Sequence, residues 1–360
     1  LWLPALLLAQ DIELAPPAAP EVLAFCPDGT ILVTLVHSQT LLIAWDAATG
    51  KKLYEFAGTR GNKYGILFSS DGRRIVLPGC GGHPTAVLDA ASGRVLREFK
   101  SVNSYSYALS PDGAFLACVD ADSDSAVLYS DVGKETIRVR ADHGMVAFST
   151  DGKSLLVLRA DSTLALWDVE NAKETARLGD PLRSGHADLL GPAAILASPD
   201  GKRWVTATVA ERYKQGGDNR GEQGTREVFI DVWDAVGRKR ARRIAGDDVC
   251  VARMGGSAFV QISPDASLAC MSLAGGPRWV DLTLGKDLFR LPAGRPVEFS
   301  EDGRRLLMLE GSDPVLVDVQ TGKKIRSLKG KGRAALSRDG RRIAYCADDK
   351  VRLVSVEASR

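Results

Sequence analysis

Apolar residues recur at every second position in short runs, and each run stops at the same kind of tight turn. The pairs Leu23-x-Phe25, Ile66-x-Phe68, Tyr107-x-Leu109, Val146-x-Phe148, Ile195-x-Ala197, Val260-x-Ile262, Val297-x-Phe299 and Ala334-x-Leu336 lead into FCPDG, FSSDG, LSPDG, FSTDG, ASPDG, ISPDA, FSEDG and LSRDG, with the turn aspartate at 28, 71, 112, 151, 200, 265, 302 and 339. A period of two marks a half-buried strand. Asp-Gly between two such runs marks a hairpin, because glycine takes a positive φ without steric cost.

A second landmark follows each turn at a steady distance. Asp28 to Asp46, Asp71 to Asp89, Asp112 to Asp131, Asp151 to Asp168, Asp265 to Asp281 and Asp302 to Asp318 are all 16 to 19 residues, and Ser355 lies 16 after Asp339. Only Asp200 to Asp234 is long, at 34. A further turn leads to a fourth strand ending on Phe56, Phe99, Val139, Leu178, Ile244, Leu291 or Leu328. The text itself repeats in DAATGKKLYEF, DAASGRVLREF and DVQTGKKIRSL. The unit is a four-stranded antiparallel meander of about 40 residues, the size of a propeller blade.

The pattern predicts an all-β chain forming a single β-propeller of eight blades, with seven blades and one distorted unit as the alternative. Eight hairpins and eight third strands are followed by only seven fourth strands. The segment AQDIEL, residues 9–14, supplies the eighth, so the two termini pair and close the ring, which hides two otherwise open sheet edges. The propeller domain is expected over 9–360. Residues 1–8 read as a leader, a linker or a strand remnant. LWLPALLLAQ is too short to cross a bilayer as a helix, and it fits the end of a signal peptide as well as a linker. The compartment, exported or cytoplasmic, depends on which it is.

Trp45-Asp46, Trp167-Asp168 and Trp233-Asp234, with the S-P-D-G turns, resemble the WD-repeat β-propellers over nearly the whole chain. Leu88-Asp89, Val280-Asp281 and Val317-Asp318 replace Trp-Asp elsewhere, and the family's Gly-His occurs only as Gly185-His186. The histidine-mediated network typical of the family is therefore largely missing. The degenerate repeats are closer in character to bacterial propellers than to eukaryotic ones. The resemblance implies a non-catalytic scaffold for protein-protein interaction.

Connections between the first and second strands are uniformly short. On the opposite face the spacing is uneven. From the last apolar residue of a fourth strand to that of the next first strand, most gaps are 8 to 12 residues, but Leu178 to Ala197 is 19 and Ile244 to Ile262 is 18. These two bracket the fifth blade, whose second-to-third connection holds ERYKQGGDNRGEQGTRE, 211–227. Three long connections thus rise from one face around one blade, and function concentrates in loops set on a rigid scaffold. The bland alternative is tolerated insertion, since doubling a loop costs only about 0.6 kcal/mol. The candidate partner-binding residues are Arg183, His186, Asp188, Arg212, Tyr213, Lys214, Arg220, Arg226, Asp247, Asp248 and Arg253, residue types favoured in interface contacts.

Composition changes this picture little. The 47 basic and 45 acidic side chains leave a net charge of +2, so there is no global attraction to polyanions. RKRARR, 238–243, falls on the outer strand of the fifth blade, where charge discourages edge-to-edge pairing, and a nucleic-acid partner is not expected. DADSDS, 120–125, lacks the glycine and the distal acid of a calcium loop. The six cysteines have no metal-ligand spacing, and Cys118, Cys270 and Cys346 lie in apolar runs. No nucleophile elbow, phosphate loop or H-E-x-x-H motif is present. No catalytic residue, metal or cofactor is assigned, no transmembrane segment is found, and a monomeric domain is expected. The alternatives are a propeller enzyme or small-ligand binder with its site in the axial channel, which requires His, Arg and carboxylates there, and a sensor module of a larger polypeptide.

Overall fold

The computed structural model describes residues 11–36, 41–57, 66–79, 83–99, 104–130, 133–141, 144–181, 187–212, 225–247, 260–273, 276–288 and 294–356. Within them, thirty-two strands form eight four-stranded antiparallel sheets. Seven blades follow the chain in simple up-and-down order, over 22–57, 67–99, 104–140, 145–178, 187–247, 260–287 and 295–327. Blade 8 takes three strands from 334–355 and its fourth from Ile12–Leu14. The first strands of successive blades touch one another, so they line the axis and the fourth strands lie outermost.

Each sheet is covered on both faces by its neighbours, and this decides the pattern of burial. In blade 4 the second strand, Ser154–Leu158, carries four consecutive fully buried residues, Leu155 to Leu158. The outer strand, Lys173–Leu178, alternates instead, with Lys173, Thr175 and Arg177 exposed. A middle strand buried on both sides must be apolar throughout, whereas an outer strand keeps its alternation. Each such leucine contributes about 1.5–3 kcal/mol of burial.

The short turns are built identically. In blade 2 the Ser69 hydroxyl donates to Asp71 Oδ1 (2.6 Å) and accepts from the Arg74 N–H (2.9 Å), while Asp71 also accepts from the Arg73 N–H (3.0 Å). Ser110, Ser149, Ser198, Ser263, Ser300 and Ser337 repeat the arrangement with the aspartate two residues on. In blade 1 Cys26 stands in the serine's place, its thiol donating to Asp28 and its sulfur accepting from the Ile31 N–H. The glycine of each turn has a φ near +70°. Blade 6 has Ala266 there, at φ 56°. The aspartates closing the third strands of blades 1 and 7 cap the next turn: Asp46 accepts from Ala48 and Thr49, and Asp318 from Thr321.

Arginines three residues after the turn aspartate tie this face together. Arg203, Arg305 and Arg342 donate to the carbonyls of Asp265, Gly340 and Gly29 in the following blade, at 3.0, 2.7 and 3.2 Å, and Arg74 donates to the Gly113 carbonyl. The Arg342–Gly29 contact joins the last blade to the first. Ring closure is completed by the pairings Ile12↔Leu353, Glu13↔Arg352 and Leu14↔Val351, by a Lys350–Glu13 ion pair, and by burial of Leu14. The expected closing strand at 9–14 is observed over 12–14, and residues 9 and 10 lie outside the described residues.

The projecting fifth blade as candidate interaction surface

Blade 5 differs from the others in strand length. Its strands Ala187–Ala197, Arg203–Arg212, Thr225–Asp234 and Lys239–Asp247 have 11, 10, 10 and 9 residues, against two to six elsewhere. The additional residues belong to the start of the first and third strands and the end of the second and fourth. All four extensions therefore stand on the face opposite the Ser-x-Asp-Gly turns. At about 3.3 Å per residue, four or five extra residues raise the sheet by roughly 15 Å. The ladder is continuous to its tip, from Trp204↔Trp233 to Ala187↔Arg212 and Arg212↔Thr225. Bulges at Leu189/Gly191 and Pro192/Ala194 bend the inner strand, and such a bulge is where a sheet accepts proline.

This changes one expectation in part. The connections expected to be loops over 179–196 and 211–227 are to a considerable extent strand, at 187–196, 211–212 and 225–227. Cross-strand hydrogen bonding supplies what the polar, glycine-rich sequence does not suggest locally. Of the candidate residues, Asp188, Arg212, Arg226 and Asp247 are brought together on this projecting sheet, through Asp188↔Glu211, Arg226↔Glu211 and Glu227↔Asp247. Arg183, His186, Tyr213, Lys214, Arg220, Asp248 and Arg253 lie outside the described residues.

The two faces of blade 5 have different chemistry. Toward blade 6, Val205, Ala207, Val209, Val228, Ile230, Val232 and Ile244 pack with Val260, Ala269, Met271 and Val280. Toward blade 4, Trp204 and Trp233 pack on Leu156, Leu158, Leu164, Leu166 and Leu178. Gly179 is required there, since a Cβ would come within 2.7 Å of the Trp233 ring and its φ is +83°. Above the tryptophans the same face turns polar and stays buried, with Thr206, Thr208 and Asp231 each 1% exposed. The Trp233 N–H donates to Thr206 Oγ1 at 2.9 Å. Arg243 grips Asp231 with two hydrogen bonds (2.7 and 2.6 Å) and lies over the Phe229 ring, while Arg240 lies over Trp233 with its Nε 3.6 Å from Asp231. Arg240 also approaches Asp180 of the chain leaving blade 4, at 3.9 Å.

This seam was not anticipated. Its signal was Asp231 inside IDVWD, an acid at a core alternation, facing RKRARR on the adjacent strand. The basic run is accordingly a set of internal contacts rather than only a charged edge: Arg240 and Arg243 serve the seam, and Arg242 donates to the Leu284 carbonyl of blade 6 at 2.8 Å.

The other candidate sites resolve simply. In DADSDS, Asp120 accepts from the Asp122 N–H and the Ser123 hydroxyl and pairs with Arg138, as a capped turn. Cys26, Cys118, Cys270 and Cys346 are buried free thiols, and burial pushes Cys118 up to about 12 and Cys346 up to about 11. Cys80 and Cys250 lie outside the described residues. Among the described residues no group of three or more His, Cys, Asp or Glu is placed to hold a metal, and no helix is long and apolar enough to cross a membrane. The inner strands are mostly uncharged. Apart from Asp188 in the projection, the described charges on them are Arg295 and Glu298 of blade 7.

No protein-family model and no curated protein matches this sequence. Solved structures do match. The C-terminal WD40 domain of Sif2 superposes with a TM-score of 0.70 at 12% identity, over 96% of this chain and 97% of that one. The hydrazine synthase of Kuenenia stuttgartiensis matches with a TM-score of 0.52 at 15% identity, over 99% and 100%. At such identities the likeness is one of fold, and the fold of this chain is that of a WD40-like β-propeller.

Proposed function

We propose that this propeller is a non-catalytic scaffold that binds a protein or peptide on the face from which blade 5 projects. The observation that carries the reading is the projection itself: four strands continue together for about 15 Å beyond the level at which the neighbouring blades end. Ordered strands present a partner with a preformed surface at little entropic cost. Asp231, Arg240 and Arg243 join the third and fourth strands of this sheet below the projection. A nucleic-acid partner is disfavoured because Arg240, Arg242 and Arg243, the centre of the basic run, are engaged within the protein.

The test is an affinity capture from source lysate read by mass spectrometry. The intact protein is run beside a version in which 213–224 is replaced by a short Gly-Ser turn, leaving the paired strands in place. A partner captured only by the intact protein is the expected result. Identical capture by both would overturn the assignment of the face.

A further inference from the structure

The innermost strand of each blade presents one edge to the axis, and N–H groups on that edge have no strand to bond. Two of them are met by a side chain from the preceding blade. The Val146 N–H donates to Ser106 Oγ at 3.1 Å, and the Leu336 N–H donates to Glu298 Oε2 at 3.0 Å. The Ser337 N–H bonds outward to the Arg342 carbonyl. By alternation the Leu336 N–H points the other way, toward the axis. The Glu298 carboxylate therefore lies on the axial side of blades 7 and 8. Its side chain is exposed although it belongs to an innermost strand, so the solvent it meets is that of the channel.

A carboxylate can accept about four hydrogen bonds, and Glu298 has the one backbone donor. No cation pairs with it among the described residues. At the same register the inner strands of blades 1, 3, 4 and 8 carry Ala24, Ala108, Ala147 and Ala335, with neither charge nor side-chain donor, and that of blade 6 carries Gln261, an uncharged amide. The charged groups on the packed elements lie toward the other mouth. Arg295 is three residues earlier on the same strand, roughly 10 Å away along it, and Arg333 immediately precedes the inner strand of blade 8. Burial and the nearby Arg333 guanidinium hold Arg295 below its ordinary value. Enclosure by the surrounding protein, which strips the carboxylate of part of its bulk solvent, pushes Glu298 up to about 7, against the pull of the Leu336 N–H. The result is a confined, wet carboxylate without a counter-charge, two residues from the Ser300 turn.

We propose that Glu298 binds a primary ammonium group entering the axial channel from the face of the Ser-x-Asp-Gly turns. An ammonium supplies the missing charge and three compact donors. Entry from the opposite mouth would bring it past Arg295 and Arg333. The group comes from a small free amine or from a lysine side chain of a partner. Only the ionised carboxylate binds, so affinity rises with pH through the titration of Glu298, by about tenfold between pH 6 and pH 8. This site is independent of the projecting blade and survives the loss of 213–224.

The test is a titration of protein carrying carboxyl-13C glutamate, followed by NMR. The Glu298 resonance is identified by its midpoint near neutrality, far above ordinary glutamates, and by its loss in Glu298→Gln. n-Butylammonium chloride is added, with sodium chloride and tetramethylammonium chloride as controls. A saturable shift specific to butylammonium, about tenfold tighter at pH 8 than at pH 6, is expected. A resonance that moves no further than with the control salts would overturn the proposal, whether or not the glutamine variant folds. Nα-acetyl-lysine N-methylamide separates the two sources: tighter binding than butylammonium assigns the site to a lysine side chain, and equal or weaker binding assigns it to free amines.

Discussion

Blades 4 and 5 stand side by side on one plan, and each carries a Trp-Asp at the end of its third strand. They differ in what faces the tryptophan. In blade 5 the Trp233 N–H meets Thr206, two residues beyond its cross-strand partner Trp204. In blade 4 the equivalent residue, two beyond Leu155, is Val157, and the buried Trp167 Nε1 has no hydrogen-bond partner. The second strand of blade 4 is apolar at Leu155 to Leu158, whereas that of blade 5 alternates Val205, Ala207 and Val209 with Thr206 and Thr208. A blade level with its neighbours can be apolar on both faces. In blade 5 the corresponding face carries a polar column, in which Trp233 bonds to Thr206 and Asp231 to Arg243. Such a column is stabilising only while complete, because each buried polar group left alone costs more than a made bond contributes.

The sharpest way to break the comparison is at Asp231. Asp231→Ala leaves Arg243 and Arg240 without their acid. The expected loss is about 3 kcal/mol, at the low end for a broken buried pair because the Arg243 side chain is a quarter exposed. Asp168→Ala in blade 4 removes a turn cap to the Asn171 N–H and costs about 1 kcal/mol. Urea unfolding followed by tryptophan fluorescence compares the two. Equal losses would mean that the column does not support blade 5. Next in size is Thr206→Val, which strands the indole of a fully buried tryptophan and costs about 2 kcal/mol. Thr34→Val should cost the same, since Trp45 donates to Thr34 at 3.0 Å in blade 1.

The turns sharpen the comparison from the other side, because here the two blades are alike. Ser149→Ala in blade 4 removes a hydroxyl bonded to both Asp151 and the Ser154 N–H, at a cost of about 1 kcal/mol, and Ser198→Ala in blade 5 should match it. The serine hydroxyls, with backbone N–H groups, hold Asp151 and Asp200 below the usual carboxylate range. A depressed folded pKa contributes stability that is present above the unfolded value, near 3.8, and is lost as pH falls through the folded one. Acid unfolding is therefore expected below about pH 4, with each serine variant losing less on acidification than the parent protein. A variant as acid-sensitive as the parent would refute the role of the hydroxyl.

The architecture was legible because its determinants are local. The turn needs serine, aspartate and glycine at fixed offsets, and each stands within five residues of the others. The spacing between landmarks then counts the blades, and the missing fourth strand points to residues 9–14, of which 12–14 form it. The extension of blade 5 was legible only in outline. Its length showed in the 34 residues from Asp200 to Asp234, and the alternation Val205, Ala207, Val209 already ran past the usual strand, but the tip is made by pairing between Glu211, Arg212 and residues far along the chain. The seam with blade 4 and the Glu298–Leu336 contact were not legible. Both join residues of different strands or blades through side-chain directions that no period of two specifies.

The smallest expected effect tests whether the polar column can be moved. Val157→Thr places a hydroxyl in blade 4 where Thr206 carries one in blade 5, at the same register from the tryptophan. The change conserves shape, so packing against Ala165 and Ala117 is retained. Burying a hydroxyl without a partner costs about 1–3 kcal/mol in proteins, and Val205→Thr, which faces the apolar seam with blade 6 where no indole waits, should show that loss. At 157 the new oxygen can accept from the Trp167 N–H, which also relieves a group now buried without a partner. The expectation is a change between zero and a gain of about 1 kcal/mol, with Val205→Thr as the control measured in the same urea series. If the two substitutions cost the same, the indole of blade 4 is not within reach of the hydroxyl. The threonine–tryptophan bond would then depend on the wider column of blade 5 rather than on register alone.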